Sequence, residues 1–165
     1  MLRCICGFRR QNGSERKERS VQSVQIRRMQ EEDLAQVCEL ENAIFSEPWS
    51  EKSFADSMKK PENCYLVVEE AGEILGYCGL WGVAGEGQIC NVAVRPTVRN
   101  QGIAKAMLAE LIREGDAAGL TAYTLEVRVS NLPAIRVYHG LGFEDAGVRK
   151  NFYTKPQEDA LIMWK

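Results

Sequence analysis

Several residues in this chain combine reactive side chains with a spacing that could use them. The run Arg95-Pro96-Thr97-Val98-Arg99-Asn100-Gln101-Gly102-Ile103-Ala104-Lys105 holds R-x-x-G-x-A at Arg99–Ala104. Placed where a strand gives way to a helix, such a segment turns consecutive backbone N–H groups toward one point. Those donors and the helix dipole bind phosphate or pyrophosphate. Gly102 lets a phosphate approach the backbone, the small Ala104 avoids a clash, and Arg99 and Lys105 add positive charge. The competing reading is a strand-to-helix turn with a solvated basic rim. The segment lacks the G-K-[ST] of a Walker loop. It also lacks G-x-G-x-x-G, which argues against a dinucleotide dehydrogenase.

Glu126 is the next candidate. In Tyr123-Thr124-Leu125-Glu126-Val127-Arg128-Val129, alternation puts Leu125, Val127 and Val129 on one face and Thr124, Glu126 and Arg128 on the other. A carboxylate on a strand covered on both faces is costly unless paired or used. A structural Glu126–Arg128 pair and a catalytic base are both open. Asn131 can cap the helix that follows. Tyr138 comes seven residues later, and steps of about 100° return it to nearly the same helix face. Tyr138 also extends a Leu132 and Ile135 stripe, so a core role competes with a chemical one. His139, the single histidine, has no evident triad partners and reads as a surface or locally bonded residue.

These residues need elements to hold them. Val24 and Ile26 begin a short strand. A helix follows after Glu31-Glu32-Asp33, with Leu34, Val37, Leu40 and Ile44 at helical spacing. Pro48 breaks the chain at Phe45–Trp49, and Ser50 can cap a second helix over Glu51–Lys59. Cys64–Glu69, Ile74–Val83 and Gln88–Val94, separated by glycine turns, suggest an antiparallel meander. Ile103, Met107 and Leu111 mark one stripe of a helix over Gly102–Ala117, ended by Gly119. Ala122–Val129 is a strand, Asn131–Gly140 a helix, and Phe143–Tyr153 and Ala160–Trp164 are two last strands. A helix between strands 88–94 and 122–129 demands a parallel crossover. The expected class is mixed α/β, a mixed sheet with helices on its faces.

Composition narrows the field. The 165 residues suit one domain, expected over 23–165, preceded by a basic disordered extension over 1–22. Residues 1–20 carry six basic and two acidic groups, +4, which leaves 15 basic and 21 acidic groups, −6, for the rest. An acidic body is a poor nucleic-acid binder and a plausible host for cationic partners. No apolar run suits a membrane span, and Met1–Ser20 lacks the apolar core of a secretory signal. The six cysteines form no C-x-x-C pair. Four fall in apolar segments, as expected of reduced thiols in a cytoplasmic protein.

Together these residues resemble the GNAT N-acetyltransferase superfamily. The likeness rests on Val92-Ala93-Val94, Arg99–Ala104, Asn131 and Tyr138-x-x-x-Gly142-Phe143, in that order. A finer resemblance is to the RimI family, which acetylates the N-terminal alanine of a small-subunit ribosomal protein. It rests on Phe45-Ser46-Glu47-Pro48-Trp49-Ser50, on Leu125–Asn131, and on Val148-Arg149-Lys150-Asn151-Phe152-Tyr153 followed by Glu158-Asp159-Ala160. The likeness runs from about Val24 to Trp164. It implies the GNAT fold, a twisted mixed sheet of about seven strands with helices on both faces. It also implies acetyl-CoA as donor, a protein N-terminus as acceptor, and no metal, nucleic acid or membrane. By position, Val92, Ala93 and Val94 would offer backbone groups to the acetyl-pantetheine arm. Arg99, Asn100, Gln101, Gly102, Ile103, Ala104 and Lys105 would cradle the pyrophosphate, and Asn131 would bind the cofactor. Glu126 would be the general base and Tyr138 the general acid. The chain departs from the family in having Phe152-Tyr153 where Tyr-Tyr is frequent. The resemblance leaves two other outcomes: acetylation of a small-molecule amine, or an inactive acyl-CoA-binding module.

Overall fold

The computed structural model describes Arg3, Cys4 and residues 24–165. Apart from Arg3–Cys4, the expected basic extension lies outside the described residues. Strands are β1 Gln25–Arg28, β2 Asn63–Glu70, β3 Glu73–Val83, β4 Glu86–Val94, β5 Ala122–Arg128, β6 Glu144–Thr154 and β7 Gln157–Trp164. Helices are α1 Leu34–Ile44, α2 Glu51–Met58, α3 Ile103–Ala117 and α4 Leu132–His139. The sheet order is β1-β2-β3-β4-β5-β7-β6, with the two-residue segment Arg3–Cys4 lodged between β4 and β5. β2 to β4 form the expected antiparallel meander, and β1 adds to its edge antiparallel to β2. β4 and β5 run parallel across the α3 crossover, so the sheet is mixed.

Each sheet face carries its own core. On one, α3 packs Met107, Leu108 and Leu111 against Leu66, Cys78, Leu80, Leu125 and Val127. On the other, α1 and α2 pack Val37, Leu40 and Phe54 against Tyr65, Val67, Tyr77, Cys90 and Ala93. Burial of these side chains is the main stabilising term, at roughly 1.5–3 kcal/mol for each fully covered large residue. The Ser50 hydroxyl caps α2 by accepting from the Ser53 N–H at 3.1 Å, as expected. The start of α1 is tied down by Asp33, which accepts from Arg27 at 2.7 and 2.8 Å. Burial raises the Asp33 pKa, but the bonds from Arg27 and the Gln30 N–H, with the Arg27 charge, together outweigh it and hold the carboxyl below its ordinary range. Cys64, Cys78 and Cys90 are buried and Cys38 is half-buried, and none of these four is in a disulfide. No helix among the described residues is long and apolar enough to cross a membrane.

The last strand starts at Gln157 rather than Ala160. Gln157 and Glu158 pair with Thr154 and Tyr153 at the hairpin tip. That tip projects beyond the core, so no apolar alternation marks it in the sequence.

Candidate active site

The site begins with a fault in the sheet. β4 and β5 pair only from Glu86–Ala122 to Ile89–Leu125. Beyond Ile89 the strands part, and Asn91 and Val92 pair instead with Arg3 and Cys4, with Cys4 also opposite Val127. A bulge sits at the same point. Leu80 pairs with Ile89 and Gly79 with Asn91, so Cys90 is the extra residue on β4. A bulge bends its strand and re-aims the following side chains. Gly79 is required opposite it, because a Cβ there would come within 2.3 Å of the Tyr65 ring. The result is a slot in the sheet between the C-terminal halves of two parallel strands, filled in this structure by the Arg3–Cys4 segment. This is where open α/β sheets place ligands.

A cavity of about 170 Å³ opens onto the slot from the α3/α4 face. Its wall brings together Val92, Val94, Arg99, Asn100, Gly102, Ile103, Ala104, Lys105, Asn131 and Tyr138. Gly102 precedes α3 with φ +79°, and Asn100 has φ +61°. That left-handed geometry suits glycine and turns the chain sharply into the helix. No side chain caps α3. Its first N–H groups therefore face outward at the positive end of the helix dipole. A Cβ on Gly102 would meet nothing within 4 Å, so the space above it is open. Arg99 Nε donates to the Val94 carbonyl at 3.0 Å, tying the loop to the end of β4. The Asn131 Oδ1 accepts from Ala134 N–H at 3.4 Å, the expected cap. Its buried Nδ2 has no partner among the described residues. Tyr138 is 2% exposed and packs edge-on to Phe143 at 6.0 Å. An anion-binding helix end, an unsatisfied buried amide and an apolar channel suit a long phosphate-bearing ligand such as acetyl-CoA.

Three predicted residues stand outside this cavity wall. Gln101 faces a second hollow beside β1. The Ala93 side chain packs in the opposite core, although its backbone remains on β4. Glu126 also points to the α1/α2 face, since its neighbours Leu125 and Val127 face α3. Glu126 Oε1 accepts from Arg149 Nη1 at 2.7 Å, so the Glu126–Arg128 pair weighed from sequence does not form. Arg128 instead binds Glu158 at 3.0 Å and the Lys155 and Pro156 carbonyls. Glu126 Oε2 is buried with no partner among the described residues. Arg149 lies 5.0 Å from the Phe152 ring centroid, so that ring supports Arg149 without a hydroxyl. His139 is on the surface, bonded to Asp145 at 2.8 Å.

The loop Phe45–Ser50 and the β6–β7 hairpin wall the α1/α2 side of the slot. Ser46 Oγ donates to the Lys155 carbonyl at 2.9 Å and joins the two walls. Trp49 stacks against Phe54 and Trp81 at 5.3 and 5.6 Å. Sequence reasoning did not find Glu41, a buried α1 carboxylate that accepts from the Trp49 N–H at 2.9 Å and from the Tyr77 hydroxyl. Nor did it find Asn91, buried beside Tyr77. A charged residue on a helix face that is otherwise apolar was the only signal available for Glu41.

This architecture has known counterparts. The family profile described as "Acetyltransferase (GNAT) family" matches residues 34–143. The chain is 43% identical over 143 residues to a Bacillus subtilis protein named, provisionally, for alanine N-acetylation of ribosomal protein bS18. That alignment covers 84% of this chain and 93% of the relative. The ribosomal protein bS18-alanine N-acetyltransferase of Escherichia coli is 35% identical over 133 residues, covering 79% of this chain and 89% of that one. The crystal structure of the Escherichia coli ribosomal-protein-S18-alanine N-acetyltransferase superposes with a TM-score of 0.77 at 34% identity, covering 86% of this chain and 92% of that one. Arabidopsis thaliana NAA60 in complex with acetyl-CoA shares the fold, with a TM-score of 0.78 at 18% identity, covering 86% of this chain and 97% of that one. A slotted mixed sheet, an uncapped helix start on one side and a buried carboxylate on the other are thus built on a sequence that the family profile spans from α1 to Phe143. The chain belongs to the acetyltransferase (GNAT) family.

Proposed function

We propose that this chain is an acetyl-CoA-dependent peptide α-N-acetyltransferase whose acceptor is the N-terminal alanine of a small-subunit ribosomal protein, acting in the cytoplasm. The observation that carries the reaction is the slot. With the acetyl-pantetheine arm in place of Arg3–Cys4, it would join a phosphate-binding cavity on one sheet face to Glu126 on the other, so donor and acceptor can meet from opposite sides. The acceptor class is supported by the names of the Bacillus subtilis and Escherichia coli relatives.

The chemistry divides between the two faces. Bound acetyl-CoA supplies an activated thioester. The first N–H groups of α3, with Arg99 and Lys105 beside them, hold its pyrophosphate. Asn131 donates its unsatisfied amide to the same ligand. Where β5 leaves β4, a backbone N–H of Val92–Val94 polarises the carbonyl oxygen once the acetyl arm replaces Arg3–Cys4. A peptide α-amine has a pKa near ~8 and is mostly protonated at neutral pH. Glu126 accepts that proton directly or through water, and Tyr138 donates one to the departing sulfur. Direct transfer needs neither a cysteine acyl-enzyme nor a metal.

Incubation with acetyl-CoA and a library of N-terminal peptides, read by mass spectrometry, tests the proposal. The expected product is α-acetylation of alanine-initiated peptides. Preferential acetylation of lysine side chains or polyamines would replace the proposed acceptor.

A further inference from the structure

Two buried oxygens on the α1/α2 face have no hydrogen-bond partner among the described residues: Glu126 Oε2 and Asn91 Oδ1. They sit on opposite banks of the slot. Cys4 is opposite both Val92 and Val127, which puts the preceding residues, Asn91 and Glu126, at one level. One extended segment, Arg3–Cys4, lies between the banks, so their backbones stand about two strand spacings, roughly 10 Å, apart. Both side chains project to the same side of the sheet. Asn91 does so because Gly79, its partner on β3, faces Tyr65 and the Cys90 sulfur.

The orientation of the Asn91 amide follows from a chain of donors. The Glu41 carboxylate already accepts from the Trp49 N–H and the Tyr77 hydroxyl. Tyr77 therefore spends its single proton on Glu41. Burial, with the Glu41 charge next to it, pushes the Tyr77 pKa well above the phenol range, so that proton stays in place. Tyr77 can then only accept from Asn91, whose side chain lies within hydrogen-bonding reach of it. The Asn91 NH2 is thus committed to Tyr77, and Oδ1 is the atom left over. An unsatisfied buried carbonyl is costly and calls for a donor.

We propose that Asn91 Oδ1 is the second acceptor for the incoming α-amine and selects primary amines; this rests on the acetyl transfer proposed above. A primary ammonium loses one proton before attack and a second as the amide forms. One N–H is never lost and ends as the N–H of the product. Glu126 takes a transferred proton, and Asn91 holds the N–H that stays, aiming the lone pair into the slot. A secondary amine has no N–H to spare. Glu41 and Tyr77 act as positioning residues that fix the amide, and through Trp49 they tie it to the acceptor-side loop.

The test uses the full chain, acetyl-CoA, and two peptides that differ only in starting with alanine or N-methylalanine. The wild-type protein should strongly prefer the alanine peptide. In Asn91→Ala, kcat/KM for alanine should fall about tenfold or more, the worth of one hydrogen bond made in the transition state. The alanine to N-methylalanine ratio should shrink by a similar factor, while acetyl-CoA affinity stays within twofold. Tyr77→Phe frees the amide to turn. It should move the same ratio in the same direction, and combining it with Asn91→Ala should add little. A general packing defect would lower both peptides equally and leave the ratio unmoved. An unchanged ratio in either folded variant overturns the role of Asn91. No transfer by wild type to the alanine peptide overturns the acceptor reading itself, and the two failures are read from different proteins.

Discussion

The bonding of Glu126 supports the role of base proposed for it. One oxygen is committed to Arg149, whose side chain is 58% exposed, while the other is left for a proton. Glu126→Gln keeps the shape and removes the base, so kcat should drop by ~10²-fold or more with acetyl-CoA affinity intact by calorimetry. Tyr138→Phe keeps the contact with Phe143 and loses only the hydroxyl. A fall in kcat of ~10²-fold or more would mark proton donation, and near wild-type turnover would make Tyr138 a packing residue only. These two residues were legible in the sequence because each is a polar group inside a strong period, one on a strand and one on a helix. Arg149 was not, for it lies 23 residues from Glu126 and meets it only through sheet order. Asn91 was hidden for a different reason. Counting by twos from Ile89 puts it on the α3 face, and the bulge at Cys90 reverses that parity.

At the scale of elements, the helix starts and the loops carry the site, and local chemistry announced them unequally. The start of α3 was readable because a strand, R-x-x-G-x-A and a helical stripe follow one another. Gly102→Glu should impose a side chain on a φ +79° position and place a negative charge at the anion site. Calorimetry should show acetyl-CoA binding weakened severalfold or lost in a folded protein, and unchanged affinity would remove the assignment. The β6–β7 hairpin was less readable, since its tip is fixed by Arg128 and Glu158 rather than by apolar residues. Burial raises the Glu158 pKa, but bonds from Ser130 and Arg128 outweigh it and hold the carboxyl below its ordinary value. A carboxyl depressed in the folded state adds stability above its unfolded pKa and loses it as pH falls through the folded one. Wild type should therefore melt above Glu158→Gln at neutral pH. The two melting curves should converge as pH drops below the ordinary carboxylate range. A gap that persists in acid would mean that Glu158 acts by shape and not by charge.

On the scale of the whole molecule, the proposed reaction makes the sheet a partition with a donor side and an acceptor side. Alternation could show that Glu126 lies opposite Leu125 and Val127. It could not show that β4 and β5 part beyond Ile89, because parting is a relation between strands 36 residues apart in register. Charge adds a second asymmetry. Residues 21–165 carry 15 basic and 21 acidic groups, a balance of −6. Ribosomal protein N-termini are typically basic, so the field of the body should draw such a peptide in and speed encounter. That attraction is screened over about 8 Å at physiological ionic strength and over less as salt rises. The kcat/KM for a basic alanine-initiated peptide should accordingly fall with added salt, while that for a neutral alanine-initiated peptide should change little. The pH dependence has its own sign. Attack needs the neutral amine, so kcat/KM should rise with pH through the amine's titration near ~8 and then level off. A peptide with a less basic N-terminal amine should reach its plateau at lower pH, by the difference between the two amine pKa values. If the rising limb stays fixed when the acceptor amine is changed, the titrating group belongs to the protein, and loss of the amine proton is not what limits the rate.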